Sequence, residues 1–173
     1  SRLSGPSNTT IFERMSGLAR ELGAINLGQG FPAMAEPAEL VGAAQRALAG
    51  RSNQYPPMRG LGELRGAVAD YYAREQGLAL SADNIVVTSG ATEALAASLL
   101  ALVRPGDEVI LVQPLYDADL PLVEWAGGKA KLISLEPPHW TLPLHKLADA
   151  VGPATRGIVL NTPTTPVGTM LDA

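Results

Sequence analysis

Apolar residues recur along this chain at two different spacings, and the alternation between them predicts the order of helices and strands. Leu61, Leu64, Val68 and Tyr72 follow the period of a helix with one buried face, and Gly77 is placed to close that helix. Short β-branched apolar runs bounded by turn residues are typical of buried strands. Further helices are predicted near residues 11–22, 37–48, 118–125 and 144–151 and after residue 90, and strands at 85–88, 108–112, 129–135 and 157–160.

Strands that alternate with helices predict an α/β fold, with a mostly parallel sheet flanked by helices. In such sheets ligands bind outside the carboxyl ends of the strands. The segments that follow three predicted strands, 89–92, 113–117 and 161–168, carry small, polar or aromatic residues. Residues 1–50 are interpreted as an amino-terminal segment with helices and residues 51–173 as the sheet-bearing part, with no sharp boundary between them.

The turn at Gly90 joins a predicted strand to a predicted helix, and its chemistry suits an anion. A helix that starts at a small-residue turn directs unpaired backbone N–H groups and the positive end of its dipole to one point. That point could hold a phosphate. The alternative is an ordinary strand-to-helix turn with Ser89 or Thr92 near the cap. These residues alone leave both interpretations open.

Composition and charge narrow the range of functions. With 46% hydrophobic and 17% charged residues, the chain of 173 residues has the composition of a globular protein. The net charge of −4 comes without a basic block, which argues against a nucleic-acid or anionic-membrane partner. There are no cysteines and two histidines, so no metal site is predicted. No apolar run is long enough for a signal peptide or a membrane span, and a cytoplasmic protein is expected.

Six short motifs occur in a fixed order along the chain, and together they resemble one family. The chain is similar to the amino-terminal half of the class I/II pyridoxal-phosphate-dependent aminotransferases of fold type I. It looks most like the branch that contains the kynurenine, glutamine and methionine aminotransferases. The motifs are Ile11–Met15, Ile25–Pro32, Asn53–Tyr55, Ser89–Ala94, Pro105–Val109 and Asn161–Pro163.

The resemblance implies a role for each residue that matches the family's cofactor site. Gly90, Ala91 and Thr92 would hold the phosphate of pyridoxal phosphate, which agrees with the anion role inferred from the turn. Tyr116 would stack on the pyridine ring. Asn161 would lie near that ring at the end of a strand.

Two residues nearer the amino terminus would complete the shared sites of a homodimer. Tyr55 would reach the phosphate of the other subunit's cofactor. Gly30 would let its backbone approach the carboxylate of the substrate, an amino acid or a 2-oxo acid. Without the resemblance, the loop containing Gly28 and Gly30 is best interpreted as a tight turn.

The sequence departs from the family pattern at two places. Thr165 stands where the family has a second asparagine, which hydrogen-bonds the phenolic oxygen of the cofactor. A threonine hydroxyl can bind the same oxygen but reaches less far, so Thr165 is retained as a cofactor residue. Asp119 stands where this branch often has a tyrosine, which predicts a different substrate pocket.

The chain ends before the second half of the family pattern, which carries the lysine that holds the cofactor as a Schiff base. Lys129, Lys131 and Lys146 match no family lysine, and no residue of this chain is assigned a catalytic role. Because transamination needs that lysine, the 173-residue chain alone is not expected to transaminate.

The resemblance predicts amino-group transfer from an amino acid to a 2-oxo acid for the parent protein, with this chain as an incomplete amino-terminal half. Two alternatives stay open. One is a related pyridoxal-phosphate lyase that cleaves a C–S bond, and the other is a catalytically inactive fragment that binds a ligand or a partner. The coding sequence downstream of Ala173 distinguishes them, because it either continues to a lysine-bearing half or stops.

Overall fold

The computed structural model describes residues 10–30, 34–51 and 53–171. It divides into two compact units, Ser1–Tyr55 and Pro56–Ala173. In the described part of the chain, no helix is long and apolar enough to cross a membrane.

The first unit contains two of the predicted helices, α1 (Ile11–Glu21) and α2 (Ala38–Gly50). The Thr10 hydroxyl caps α1 by accepting a hydrogen bond from the backbone N–H of Glu13 at 3.2 Å. This confirms the predicted start of α1. The other predicted capping residues, 7–9, lie outside the described residues.

A loop after α1 is tied to that helix by polar side chains around the buried Ser16. Asn26 Nδ2 donates to Ser16 Oγ at 3.0 Å, and Ser16 Oγ donates to Gln29 Oε1 at 3.3 Å. The Asn26 side chain also accepts from the backbone N–H of Gly28 at 3.0 Å. These bonds fix residues 26–29 against α1.

The second unit contains a sheet and the remaining helices. Gly77 ends α3 in the left-handed conformation, at φ +66°, as its position in the sequence predicts. The helices are α3 (Gly62–Gln76), α4 (Gly90–Leu102), α5 (Asp119–Trp125) and α6 (Leu144–Ala150), with a 3₁₀ helix at Ala82–Asn84.

Three parallel strands form the sheet of the described residues, in the order β2-β1-β3. They are β1 (Glu108–Gln113), β2 (Lys129–Ser134) and β3 (Thr155–Val159). Ile110 at the centre of β1 pairs with Lys131 on one side and with Ile158 on the other. The predicted α/β fold with a parallel sheet is confirmed.

Helices cover both faces of the sheet. Val109 and Leu111 of β1 form a buried cluster with Leu99 and Val103, from the carboxyl end of α4, and with Val123 of α5. Successive residues of a strand face opposite sides. Lys131, the partner of Ile110, therefore lies on the other face, where its Nζ donates to the carbonyl of Ala150 at the end of α6 at 3.0 Å.

The predicted strand at 85–88 is wrong. Ile85 has extended dihedral angles, but the segment joins no ladder among the described residues. Instead the backbone N–H of Val87 donates to the carbonyl of Arg59 at 3.0 Å. A strand needs a β-branched sequence, which local pattern shows. It also needs a neighbouring strand to pair with, which local pattern does not show.

Candidate cofactor site

The turn before α4 exposes the start of the helix, where the backbone N–H of the N-cap residue Ser89 donates to the Glu93 carboxylate. Gly90 has φ +81°, a conformation that favours glycine, and Thr88 Oγ1 donates to its carbonyl at 3.0 Å. The Ser89 side chain makes no capping hydrogen bond to a described residue. Gly90, Ala91 and Thr92 are all exposed. Ser89 therefore lies at the cap, as the alternative of an ordinary strand-to-helix turn predicts, while the exposed start of α4 stays accessible to an anion.

The Arg65 side chain binds two loops, one before α3 and one after it, and the second leads to this turn. Arg65 Nη1 donates to the carbonyl of Ala82 at 2.7 Å, and Arg65 Nε donates to the carbonyl of Gly60 at 3.3 Å. Gly60 contacts Val87 so closely that an added Cβ would lie 2.5 Å from Val87 Cγ2. Arginine in a helix commonly faces solvent, yet the Arg65 side chain is only 17% exposed.

The carboxyl ends of β1 and β3 meet at a small pocket of about 10 Å³, room for about one water molecule. Three predicted cofactor residues, Tyr116, Asn161 and Thr165, line it together. Tyr116 follows β1, and the other two follow β3, its parallel neighbour. Strand adjacency therefore brings together residues that are 45 or more positions apart in the sequence.

The loop after β3 is folded upon itself. The backbone N–H of Thr164 donates to the carbonyl of Thr169 at 2.8 Å, and the backbone N–H of Leu171 donates to Thr162 Oγ1 at 3.0 Å. Thr164 is buried, while the neighbouring Thr165 is exposed. Sequence reasoning missed Thr164, because threonine in a loop carries no signal of burial.

Asp119 also lines the pocket and is buried, with 7% of its surface exposed. Burial raises the pKa of its carboxyl above the ordinary value, and the negative charge of Asp117 adds to that rise. A hydrogen bond with the backbone of Tyr116 opposes it. The sequence identified Asp119 only as a departure from the family pattern, without predicting that it would be buried.

Gly30 and Tyr55 belong to the first unit. Tyr55 is 98% exposed. A Cβ on Gly28 would lie 2.8 Å from Met15 Cβ, which explains why that position is glycine. Gly30 is different, since a Cβ there would meet none of the described residues within 4 Å and its φ is not in the left-handed region.

This contrast predicts that alanine destabilises the chain at position 28 and has little effect at position 30. Gly28→Ala should lower the free energy of unfolding by about 1–3 kcal/mol, because the new methyl group must displace Met15. Gly30→Ala should change it by less than about 0.5 kcal/mol. Urea denaturation of the two variants measures both values, and equal losses would contradict the assignment of a packing role to Gly28 alone.

The chain's three lysines, none of which matches a family lysine, lie on β2 and α6. Lys131 Nζ forms an ion pair with Glu108 at 2.7 Å, and Lys146 Nζ forms one with Glu136 at 2.7 Å. The bond to Lys146 and its charge lower the pKa of Glu136. Lys129 is exposed at the start of β2. Within the described ranges there is no group of His, Asp and Glu side chains that could hold a metal ion.

Comparison with known proteins identifies the family. Residues 23–173 match the family described as aminotransferase class I and II. The chain belongs to this family. The resemblance carried by the six motifs is thereby confirmed, and the sheet, the turn at Gly90 and the pocket are parts of an aminotransferase fold of type I.

Two relatives and one solved structure illustrate the match. A probable N-succinyldiaminopimelate aminotransferase of Mycobacterium tuberculosis is 44% identical over 97% of this chain and 43% of its own length. The methionine aminotransferase of Escherichia coli is 44% identical over 94% of this chain and 42% of its own. A solved structure of N-succinyldiaminopimelate aminotransferase from M. tuberculosis superposes with a TM-score of 0.91, covering 99% of this chain and 45% of that one, at 44% identity.

The chain thus spans less than half the length of the curated aminotransferases it matches. The residues present fit the family's cofactor, pyridoxal phosphate. The first turn of α4 offers backbone N–H groups for a phosphate, Tyr116 offers a half-buried ring, and Asn161 and Thr165 offer exposed polar groups.

Proposed function

We propose that this chain forms the cofactor cradle of a pyridoxal-phosphate-dependent aminotransferase. The observation that supports this most directly is the meeting of Tyr116, Asn161 and Thr165 at the carboxyl ends of two adjacent parallel strands. These residues are far apart in the sequence, and the family resemblance implies a cofactor role for each of them.

In this proposal the parts of the cradle have separate tasks. The backbone N–H groups of Gly90, Ala91 and Thr92 bind the phosphate, supported by the dipole of α4. Tyr116 orients the ring by stacking. Asn161 lies beside the ring, and the Thr165 hydroxyl donates to its phenolic oxygen. When bound, the ring supplies the electron sink for amino transfer.

The substrates proposed are an amino acid and a 2-oxo acid, and the assembly proposed is a homodimer with shared sites. Tyr55, 98% exposed, supports the dimer, because a tyrosine that serves a partner's site must project from its own chain. Gly30, which has no packing reason among the described residues to be glycine, supports a close approach to the substrate carboxylate. Sedimentation velocity tests the dimer, and a cytoplasmic location stays a prediction for fractionation to test.

An assay of the longest protein that contains this chain tests the reaction class. An aminotransferase converts an amino donor only when a 2-oxo acid is present, and it yields a new amino acid. A related C–S lyase, which the presence of Asp119 in place of a tyrosine keeps open, would release ammonia and a thiol from a sulfur amino acid without a 2-oxo acid. Release of that kind, with no amino transfer, would overturn the proposal.

For the 173-residue chain alone, we expect pyridoxal phosphate to bind without a covalent link. Lys131 and Lys146 are held in ion pairs, and none of the chain's lysines lines the Tyr116 pocket. Stoichiometric cofactor, treated with borohydride and analysed by peptide mass spectrometry, should leave Lys129, Lys131 and Lys146 unmodified. A stoichiometric adduct on any of the three would contradict this.

A further inference from the structure

In the described part of the chain, the segment that leads into the turn at Gly90 has no strand partner. This segment, residues 85–88, is tied to the loop before α3 by a backbone bond from the N–H of Val87 to the carbonyl of Arg59 at 3.0 Å. A strand inside a sheet is held along its whole length by its neighbours. The position of the turn therefore depends on how the loop before α3 is fixed.

Gly60, in that loop, packs directly against the segment. It has φ +94°, and a Cβ there would lie 2.5 Å from Val87 Cγ2 and 2.7 Å from Val87 Cβ. The N–H of Gly60 also donates to the carbonyl of Pro57 at 2.8 Å, which closes the loop. Because this contact leaves no free space, a movement of Gly60 displaces Val87, which lies two residues before Ser89, the N-cap of α4.

The Arg65 side chain joins this loop to the 3₁₀ helix at Ala82–Asn84, from which the segment starts. Its Nε donates to the carbonyl of Gly60 at 3.3 Å, and its Nη1 donates to the carbonyl of Ala82 at 2.7 Å. A guanidinium is planar and carries its donors in fixed directions, so it can hold two acceptors at a set separation. Arg65 thus fixes both parts of the chain that hold residues 85–88.

The donors of Arg65 matter more than its charge. Arg65 Nη1 lies 3.7 Å from Asp83 Oδ1, but the Asp83 side chain is 87% exposed. Exposed ion pairs contribute little to stability. The Arg65 side chain is only 17% exposed, and hydrogen bonds from a charged donor contribute more than neutral ones. The two bonds to carbonyl groups are therefore the contacts that hold the loops together.

We propose that Arg65 is a positioning residue, whose guanidinium holds the carbonyls of Gly60 and Ala82 so that the start of α4 is placed to bind the cofactor phosphate. This rests on the proposed function for the identity of the ligand. Arg65 acts through the backbone, since its Nε and Nη1 groups are bonded to the protein. The role needs the planar fork of the guanidinium, and a positive charge alone does not fulfil it.

The experiment compares two ligands that differ only by the phosphate. By isothermal titration calorimetry, pyridoxal phosphate should bind about tenfold more weakly to Arg65→Ala and about threefold more weakly to Arg65→Lys, which lacks the fork. Pyridoxal should bind both variants within about twofold of the unmodified chain. A general loss of structure would instead weaken both ligands, and this result would overturn the positioning role.

Two controls remove neighbouring interactions. Asp83→Ala removes the ion pair with Arg65 but keeps the bonds to the carbonyl groups, so both affinities should stay unchanged. Arg156→Ala removes a comparable bond, from Arg156 Nε to the carbonyl of Leu102 at 2.8 Å, at the opposite end of α4. A loss of affinity for pyridoxal phosphate in Arg156→Ala equal to that in Arg65→Ala would overturn the proposal.

The amide resonances of Gly90, Ala91 and Thr92 report the turn directly in the ¹⁵N-labelled chain without ligand. They should shift in Arg65→Ala and stay in place in Asp83→Ala. If Arg65→Ala does not fold, Arg65→Lys provides the same comparison. An Arg65→Lys chain that binds pyridoxal phosphate as tightly as the unmodified chain would show that charge suffices, and would overturn the proposal.

A failure of the proposed function would be recognised separately. If the unmodified chain does not bind pyridoxal phosphate, the function fails, but the amide resonances without ligand still report whether Arg65 positions the turn. If the unmodified chain binds and the resonances of residues 90–92 are the same in all Arg65 variants, the positioning role is overturned and the function stands.

Discussion

Replacing Ile110 with alanine is expected to lower the free energy of unfolding of the second unit by about 2–5 kcal/mol. Ile110 has 0% of its surface exposed and lies at the centre of the middle strand. The substitution removes buried methyl groups and leaves a cavity between two layers, which the flanking strands can fill only in part. A loss of this size is a large fraction of the stability of an ordinary domain.

The neighbouring residue on β3 offers a matched control. Ile158 pairs with Ile110 in the sheet, but 41% of its surface is exposed. Ile158→Ala should therefore be less destabilising, by about 1 kcal/mol or less. Urea denaturation followed by circular dichroism measures both variants. Equal losses would show that the core is not centred on β1.

Replacing Gly90 with valine is expected to weaken the binding of pyridoxal phosphate on the order of 100-fold. A β-branched residue at the φ of +81° that Gly90 adopts is strained, so the turn must change its conformation. That change moves the N–H groups at the start of α4, and each charge-assisted hydrogen bond to phosphate is worth roughly 1.5–3 kcal/mol. Isothermal titration calorimetry gives the affinity.

Gly106→Val is the matched control for strain. Gly106 has φ +97° and lies in the turn before β1, away from the start of α4. The Gly106→Val chain should be destabilised to a similar degree, without a specific loss of affinity for pyridoxal phosphate. Pyridoxal, which has no phosphate, should bind the unmodified chain and Gly90→Val alike. Similar affinities of Gly90→Val and Gly106→Val for pyridoxal phosphate would contradict a phosphate role for the turn.

Local pattern predicted the helices and three of the strands, because amphipathic periodicity and β-branched runs are properties of neighbouring residues. It failed at 85–88, where the sequence has strand character but no described segment pairs with it. The same limit applies to Arg65 of α3, a charged residue of a type that commonly faces solvent. Its burial depends on carbonyl groups of residues 60 and 82, which only the folded loop brings within reach.

Some features of the candidate site could likewise be predicted from the sequence, and others could not. The turn at Gly90 could be interpreted chemically from the sequence, since a helix start is a local feature. The meeting of Tyr116 with Asn161 and Thr165 follows from the order of strands in the sheet, which local pattern does not give. The burial of Asp119 depends on the turn between β1 and α5 and on the loop after β3, so no sequence signal reveals it.

The central claim is that the start of α4 binds the cofactor phosphate while Tyr116 meets the ring. An NMR titration of the ¹⁵N-labelled chain tests it most directly. Pyridoxal phosphate should shift the backbone amide resonances of Gly90, Ala91 and Thr92 most strongly, together with those around Tyr116, and pyridoxal should shift only the latter. Unchanged amide resonances at 90–92 with saturating pyridoxal phosphate, or equal shifts with both ligands, would contradict the claim.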